Sequence, residues 1–337
     1  MRLFSFPMPL VALAVGEVVD RSAWVPHVTL VGNARMPDGA EDTAAAVLRH
    51  LAAATAPVRA AVTEEAWFGP GGSVQVDLLD APRLLELHRD LLEALESTID
   101  GFTMLLPTHT RDGYRPHRTV TTGPRPRPGD VVEARTVALV ELEPEGRPGT
   151  AVVLAAFALG GAPAVGAPIG PEDVHAVLAA LDAEGVRSWL IGGWGVDALT
   201  GAQSRDHHDV DLFVDADGTA PAIDALAALG FVVRFVWSEN RWTERGDGPL
   251  VPSAFVAVDA AGREVDVHAV RVVDGSVSPV SASHIELPAG ALEATGVLAG
   301  RPVPCASAAA QLVMHTGYPL PARQEADVAL LRRLASS

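Results

Sequence analysis

Residues 160–170, Gly-Gly-Ala-Pro-Ala-Val-Gly-Ala-Pro-Ile-Gly, carry no charge and consist mostly of small residues and proline. A stretch like this holds neither a helix nor a strand well, so it reads as a linker. It divides the 337-residue chain into two halves, each of ordinary domain size at roughly 150–170 residues. Pro171-Glu172-Asp173 follows directly, and proline with acids suits the first turn of a helix. The expected organisation is a domain over 1–160, a linker over 161–170 and a domain over 171–337. Hydrophobic residues make up 48% of the chain, enough for a core in each half.

The first half mixes both element types. Strands are expected over Leu10–Val15, His27–Val31, Ser73–Leu79, Thr119–Thr121 and Val137–Leu142, and helices over Glu41–Ala54 and Pro82–Ile99, where the apolar spacing is helical. In the second half, helices are expected over 171–184, Trp194–Thr200 and Ala220–Leu229. Strands are expected over Trp189–Ile191, Val210–Val214, Phe231–Trp237, Ala254–Asp259 and Glu264–Val272, with a mostly helical tail from Ala306. The class is α+β.

The formal charge is −17, and all 25 basic residues are arginine, a composition that fits a GC-rich genome. Residues 1–160 hold 14 Arg against 20 acids, net −6; residues 161–337 hold 11 against 22, net −11. Such a field repels a long nucleic acid and attracts a small cationic molecule. No run of about 18 apolar residues is present, so no membrane span is expected. The lone cysteine, Cys305, makes no intrachain disulfide or zinc site and reads as a small buried residue. Together these features lead to the expectation of a cytoplasmic protein.

A short motif repeats. Pro26-His27-Val28-Thr29-Leu30 returns 90 residues later as Pro116-His117-Arg118-Thr119-Val120. In a strand, i and i+2 share a face, so each copy projects an imidazole beside a hydroxyl. Two copies side by side offer His27, Thr29, His117 and Thr119 to one phosphodiester. One histidine can act as base and the other as acid, because imidazole titrates near neutrality. The hydroxyls can hydrogen-bond the phosphoryl oxygens, and the scheme asks nothing of a metal. This half, over roughly residues 8–158, resembles the two-histidine (2H) phosphoesterase, or 2′-5′ RNA ligase-like, superfamily. The resemblance implies a two-lobed fold with these four residues in the cleft. Tyr114 is expected to stack on a base or sugar. Arg118 stands where the family usually has an apolar residue, and is expected to face a polar surface. His88 and His109 are expected to be structural or superficial.

The second half carries acids in an ordered set. Leu190-Ile191-Gly192-Gly193-Trp194 reads as strand, glycine turn and helix, an arrangement that lets backbone approach a phosphate. Arg205-Asp206-His207-His208-Asp209-Val210-Asp211 puts Asp209 and Asp211 on one face of a strand. Two such carboxylates repel unless a cation lies between them, and Mg²⁺ suits one or two carboxylates plus phosphate oxygens. Glu264-Val265-Asp266-Val267-His268 adds Asp266 on a later strand.

This set resembles the DNA polymerase β-type nucleotidyltransferases, and within them the aminoglycoside 2″- and lincosamide nucleotidyltransferases, over about 171–337. The tail motif Cys305, Ser307, Gln311 and His315-Thr316-Gly317-Tyr318 belongs to the resemblance. It implies that Gly192 and Gly193 cradle a triphosphate, that Arg205 contacts phosphate, that Asp209 and Asp211 bind Mg²⁺, and that Asp266 is a third ligand or the base. An NTP, first of all ATP, is the implied co-substrate, and a small hydroxylated molecule the acceptor. His207 and Asp197 are expected to be structural. Ala269 replaces a proline usual in the family, which leaves the acceptor open. Two other readings are an RNA-end or cyclic-nucleotide phosphodiesterase with an accessory nucleotidyltransferase domain, and a non-catalytic nucleotide sensor.

Overall fold

The structure, a computed structural model, describes residues 1–120, 125–163, 166–246, 248–315 and 322–335. It separates into two compact units: residues 1–164 with 234–238 and 244–250, and residues 165–233 with 239–243 and 251–337.

The first unit contains β1 (Arg2–Pro9), β2 (Val18–Asp20), β3 (His27–Met36), α1 (Glu41–Ala53), β4 (Val58–Phe68), β5 (Val74–Asp80), α2 (Pro82–Thr98), β6 (Thr103–Met104), β7 (His117–Thr119), β8 (Val131–Ala134), β9 (Thr136–Leu142) and β10 (Thr150–Ala158). Its strands run in the order β2-β10-β9-β1-β3-β7-β5-β4-β8, all antiparallel. Helix α2 packs its leucine stripe, Leu84, Leu87, Leu91 and Leu95, out of solvent.

The first strand is not Leu10–Val15 but Arg2–Pro9. Phe4, Phe6 and Met8 alternate into the core and are fully buried. Pro7 and Pro9 fit because β9 pairs only with Leu3–Ser5, leaving the proline end without a second neighbour. The strand expected at Thr119–Thr121 begins earlier, at His117; Thr121 lies outside the described residues.

In the second half lie α3 (Pro171–Ala183), β11 (Ser188–Ile191), α4 (Gly192–Thr200), β12 (Asp209–Asp215), α5 (Thr219–Ala228), β13 (Val232–Val236), β14 (Trp242–Thr243), β15 (Val251–Pro252), β16 (Ala254–Val258), β17 (Glu264–Val273), β18 (Ser276–Pro279), β19 (Ala294–Leu298), β20 (Arg301–Cys305), α6 (Ala308–Met314) and α7 (Ala322–Leu334). The second unit's main sheet runs β19-β20-β11-β12-β17-β16 and is mixed: β20–β11 and β12–β17 are parallel, the rest antiparallel. The far end of β17 pairs with β18. Phe235 of β13 pairs with Ala155 of β10 in the first unit. Ile169 N–H donates to the His207 carbonyl at 2.7 Å, so the C-terminal end of the 160–170 stretch is tied into the second unit.

Candidate functional sites

In the first unit the two repeats become neighbours. Strand β3 meets β7 antiparallel at Val28 and Arg118. That register sets His27 opposite Thr119 and Thr29 opposite His117, all four on one face. Each histidine is fixed in the same way. The Nδ1 of His27 lies 2.8 Å from the Val25 carbonyl, and the Nδ1 of His117 lies 2.8 Å from the Arg115 carbonyl. A carbonyl only accepts, so each Nδ1 carries a proton and each Nε2 is left for a ligand. Burial pushes both imidazoles below the usual histidine value; the charges of His117 and Arg118 depress His27 further, and those of Arg115 and His109 depress His117.

An aromatic ring lies against each histidine. Trp24 is 4.7 Å from His27 between ring centroids, and Phe68 is 4.9 Å from His117, edge-on. These rings, not Tyr114, wall the histidines. Tyr114 is buried, stacked on His88 at 3.9 Å, and its hydroxyl donates to the Thr29 carbonyl at 3.0 Å. It holds the strand that carries Thr29 and is not free to stack on a ligand. His88 is structural, as expected: its Nδ1–H donates to Leu30, and its Nε2 accepts from the Arg111 N–H.

Arg118 points away from the histidines, but it does not reach a polar surface. It is 3% exposed and pairs at 2.8 Å with Asp77, itself 1% exposed. Asp77 sits directly across from it on β5 and also receives Arg125 at 2.8 Å. A buried guanidinium needs such a partner. The sequence could have hinted at this, because Asp77 is the one acid inside the apolar run of β5.

In the second unit the acids also meet across two strands. Strand β12 pairs parallel with β17, putting Asp211 beside Asp266 and Asp209 beside Glu264. The intervening Val210, Leu212, Val265 and Val267 are fully buried, so the acids share the opposite face. Burial raises the Asp211 carboxyl well above the usual range, and the charges of Asp209 and Asp266 raise it further. His268 lies 3.2 Å from Asp266. Burial opposes its charge, but Asp266, Glu239 and Asp211 outweigh this and push it up to about 9. His268 was visible in the sequence as the third member of that face, without a role attached.

The glycines have a definite job. Gly192 has φ +58°, and a Cβ there would stand 2.0 Å from Asp211 Oδ2. A Cβ on Gly193 would stand 2.5 Å from the His207 ring and 2.7 Å from an Arg205 nitrogen. The pair lets the start of α4 close over these side chains. His207 Nε2–H donates to Asp197 at 2.7 Å, and both residues are fully buried. His207 Nδ1 and Arg205 Nε are buried with no partner among the described residues. Arg205 also reaches Asp327 at 3.3 Å.

No group of three or more His, Cys, Asp and Glu closes on one point among the described residues. A two-carboxylate set still fits Mg²⁺, whose other ligands are phosphate and water oxygens. The raised Asp211 carboxyl marks a site that a divalent cation would relieve. The orphaned Arg205 Nε–H beside Gly193 fits an anion such as a triphosphate. Cys305 ends β20 fully buried, and burial pushes its thiol up to about 11, so it is no nucleophile. Thr316, Gly317 and Tyr318 lie outside the described residues. No helix among the described residues is long and apolar enough to cross a membrane.

The chain is an enzyme with a nucleotidyltransferase half preceded by a 2H phosphoesterase-like half. Residues 14–153 match the family model of the 2′-5′ RNA ligase superfamily, and residues 173–331 that of aminoglycoside-2″-adenylyltransferase. A lincosamide resistance protein of Staphylococcus haemolyticus is 30% identical over 153 residues, 44% of this chain and 86% of that protein. A 2″-aminoglycoside nucleotidyltransferase of Klebsiella pneumoniae is 29% identical over 134 residues, 40% of this chain and 66% of that protein. Through its C-terminal half the chain belongs to this family of lincosamide and 2″-aminoglycoside nucleotidyltransferases. A lincosamide antibiotic adenylyltransferase with lincomycin bound aligns over 50% of this chain and 99% of its own, with 25% identity and a TM-score of 0.39.

Proposed function

We propose that the C-terminal site moves a nucleoside monophosphate, AMP from ATP first of all, onto a hydroxyl of a small antibiotic of the lincosamide or aminoglycoside kind. The observation that carries this reading is the register that sets Asp211 beside Asp266 with Asp209 on the same face. Asp209 and Asp211 would hold Mg²⁺, which supplies charge neutralisation at the triphosphate. Gly192 and Gly193 admit the phosphates, and Arg205 offers them a donor. The acceptor oxygen bonds to the α-phosphorus, the bond to the β-phosphate oxygen breaks, and pyrophosphate leaves. Asp266, on the same face, takes the hydroxyl proton directly or through water. The net charge of −11 over residues 161–337 favours a cationic acceptor.

The N-terminal site is read as a phosphodiesterase worked by His27 and His117, with Thr29 and Thr119 on the phosphoryl oxygens. The two activities occupy separate domains, 1–160 and 171–337, joined by 161–170, in a cytoplasmic protein. A pyrophosphate-release assay tests the first activity, with ATP, GTP, CTP and UTP against lincosamides and aminoglycosides. Release only with acceptor present, lost in Asp209→Ala, is the expected result; silence with every acceptor rejects it.

A further inference from the structure

The two-histidine site is close to symmetric, and its asymmetry is mainly one charge. Val25-Pro26-His27-Val28-Thr29 lines up with Arg115-Pro116-His117-Arg118-Thr119. The catalytic positions are identical. The two that differ, Val25 against Arg115 and Val28 against Arg118, both become arginine in the second copy. Arg118 faces away from the histidines and is neutralised by Asp77. Arg115 is different. It precedes His117 by two residues, as Val25 precedes His27, and gives His117 the same carbonyl anchor. Its guanidinium lies 5.2 Å from the centre of the Phe68 ring, and that ring packs on His117.

Arg115 is exposed and pairs with no carboxylate among the described residues. Its neighbours Arg111, Arg118 and Arg125 each pair with one. What sets Arg115 apart is its place: its guanidinium lies on the ring that packs against His117, with no carboxylate among the described residues to neutralise it. Two histidines and two threonines already suffice for one phosphoryl group.

We propose that Arg115 is the specificity residue of this site and receives a second anionic group of the substrate. The preferred class is then a cyclic phosphodiester that carries another phosphate, such as a nucleoside 2′,3′-cyclic phosphate with a 5′-phosphate. Phe68 holds the guanidinium in place by a cation–π contact. The inference rests on the phosphodiesterase reading above. In the reaction, a water oxygen bonds to phosphorus and one ester P–O bond breaks. One imidazole takes the water proton, and the other gives a proton to the leaving oxygen. Arg115 takes no part in these transfers and acts on binding.

The test compares adenosine 2′,3′-cyclic phosphate with its 5′-phosphorylated form, using the full chain. The wild type is expected to favour the 5′-phosphorylated form by about tenfold or more in kcat/KM, mostly through KM. Arg115→Gln brings the two to near parity, chiefly by raising KM for the 5′-phosphorylated form, while Arg115→Lys keeps part of the preference. Raising the salt shrinks the preference in the wild type. Equal rates in the wild type overturn the proposal, as does an Arg115→Gln variant that slows both substrates alike or an Arg115→Lys variant that behaves like Gln. If the wild type opens neither compound, the phosphodiesterase reading falls and this inference falls with it.

Discussion

The two halves solve the same geometric problem with opposite chemistry. Each brings two distant strands together so that polar side chains share one face: β3 with β7 in the first unit, β12 with β17 in the second. The first site is complete as it stands. Each histidine has a carbonyl on Nδ1 and a ring against it, and burial lowers the basicity of both. The second site is strained by its own charges. Asp211 is held above the usual carboxylate range by burial and by two neighbouring carboxylates. In the proposed reading the first site moves protons and the second takes a cation.

That contrast can be broken first at Asp211. Asp211→Asn is expected to lower nucleotidyl transfer by about a thousandfold or more, because the proposed metal would supply several kcal/mol, while leaving phosphodiester opening intact. Chelation by EDTA should divide the activities in the same way. Loss of both activities on chelation would erase the distinction. Gly192→Ala should resemble Asp211→Asn in transfer assays, since its Cβ would stand 2.0 Å from the Asp211 carboxylate; a normal kcat in this variant removes that role for the glycine.

The reciprocal variant, His27→Ala, should lower phosphodiester opening by about a hundredfold to ten-thousandfold with transfer unchanged. Asp77→Asn sharpens the account of the first half. It leaves Arg118 buried without its partner and should cost about 3–5 kcal/mol in that unit, read as a lower urea midpoint for its transition; an unchanged midpoint rejects the buried pair. The smallest effect is on pH. With His27 and His117 both depressed, both are neutral near pH 7, and the form with one protonated histidine grows as pH falls. Phosphodiester opening should therefore be fastest below pH 6.5, and an optimum above 7 contradicts the lowered basicity of the two buried histidines.

Much of this was readable in the sequence, and the remainder has physical reasons. Amphipathic α2 and the alternating β12 and β17 announce themselves because one face is apolar. Strands β4 and β10 do not: they are rich in alanine, and β10 is buried along most of its length, which hides alternation. Strand β1 was obscured by its prolines. At the sites, residue types and strand phase were legible, so His27, Thr29, His117, Thr119, Asp209, Asp211 and Asp266 could be singled out. Partners across the sheet could not, because nothing local ties Arg118 to Asp77, 41 residues away. The same gap misassigned Tyr114, whose stacking partner is His88 and not a ligand. It also hid what the glycines accommodate, since Gly192 and Gly193 meet side chains that arrive from Asp211, His207 and Arg205.

The central claim is that paired acids on β12 and β17 run a nucleotidyl transfer. The direct measurement is pyrophosphate release from each NTP with lincosamide and aminoglycoside acceptors, comparing wild type with Asp209→Ala. The expected result is release matched one to one by nucleotidylated acceptor and abolished in the variant. Release that persists in Asp209→Ala, or no release with any acceptor, would contradict it.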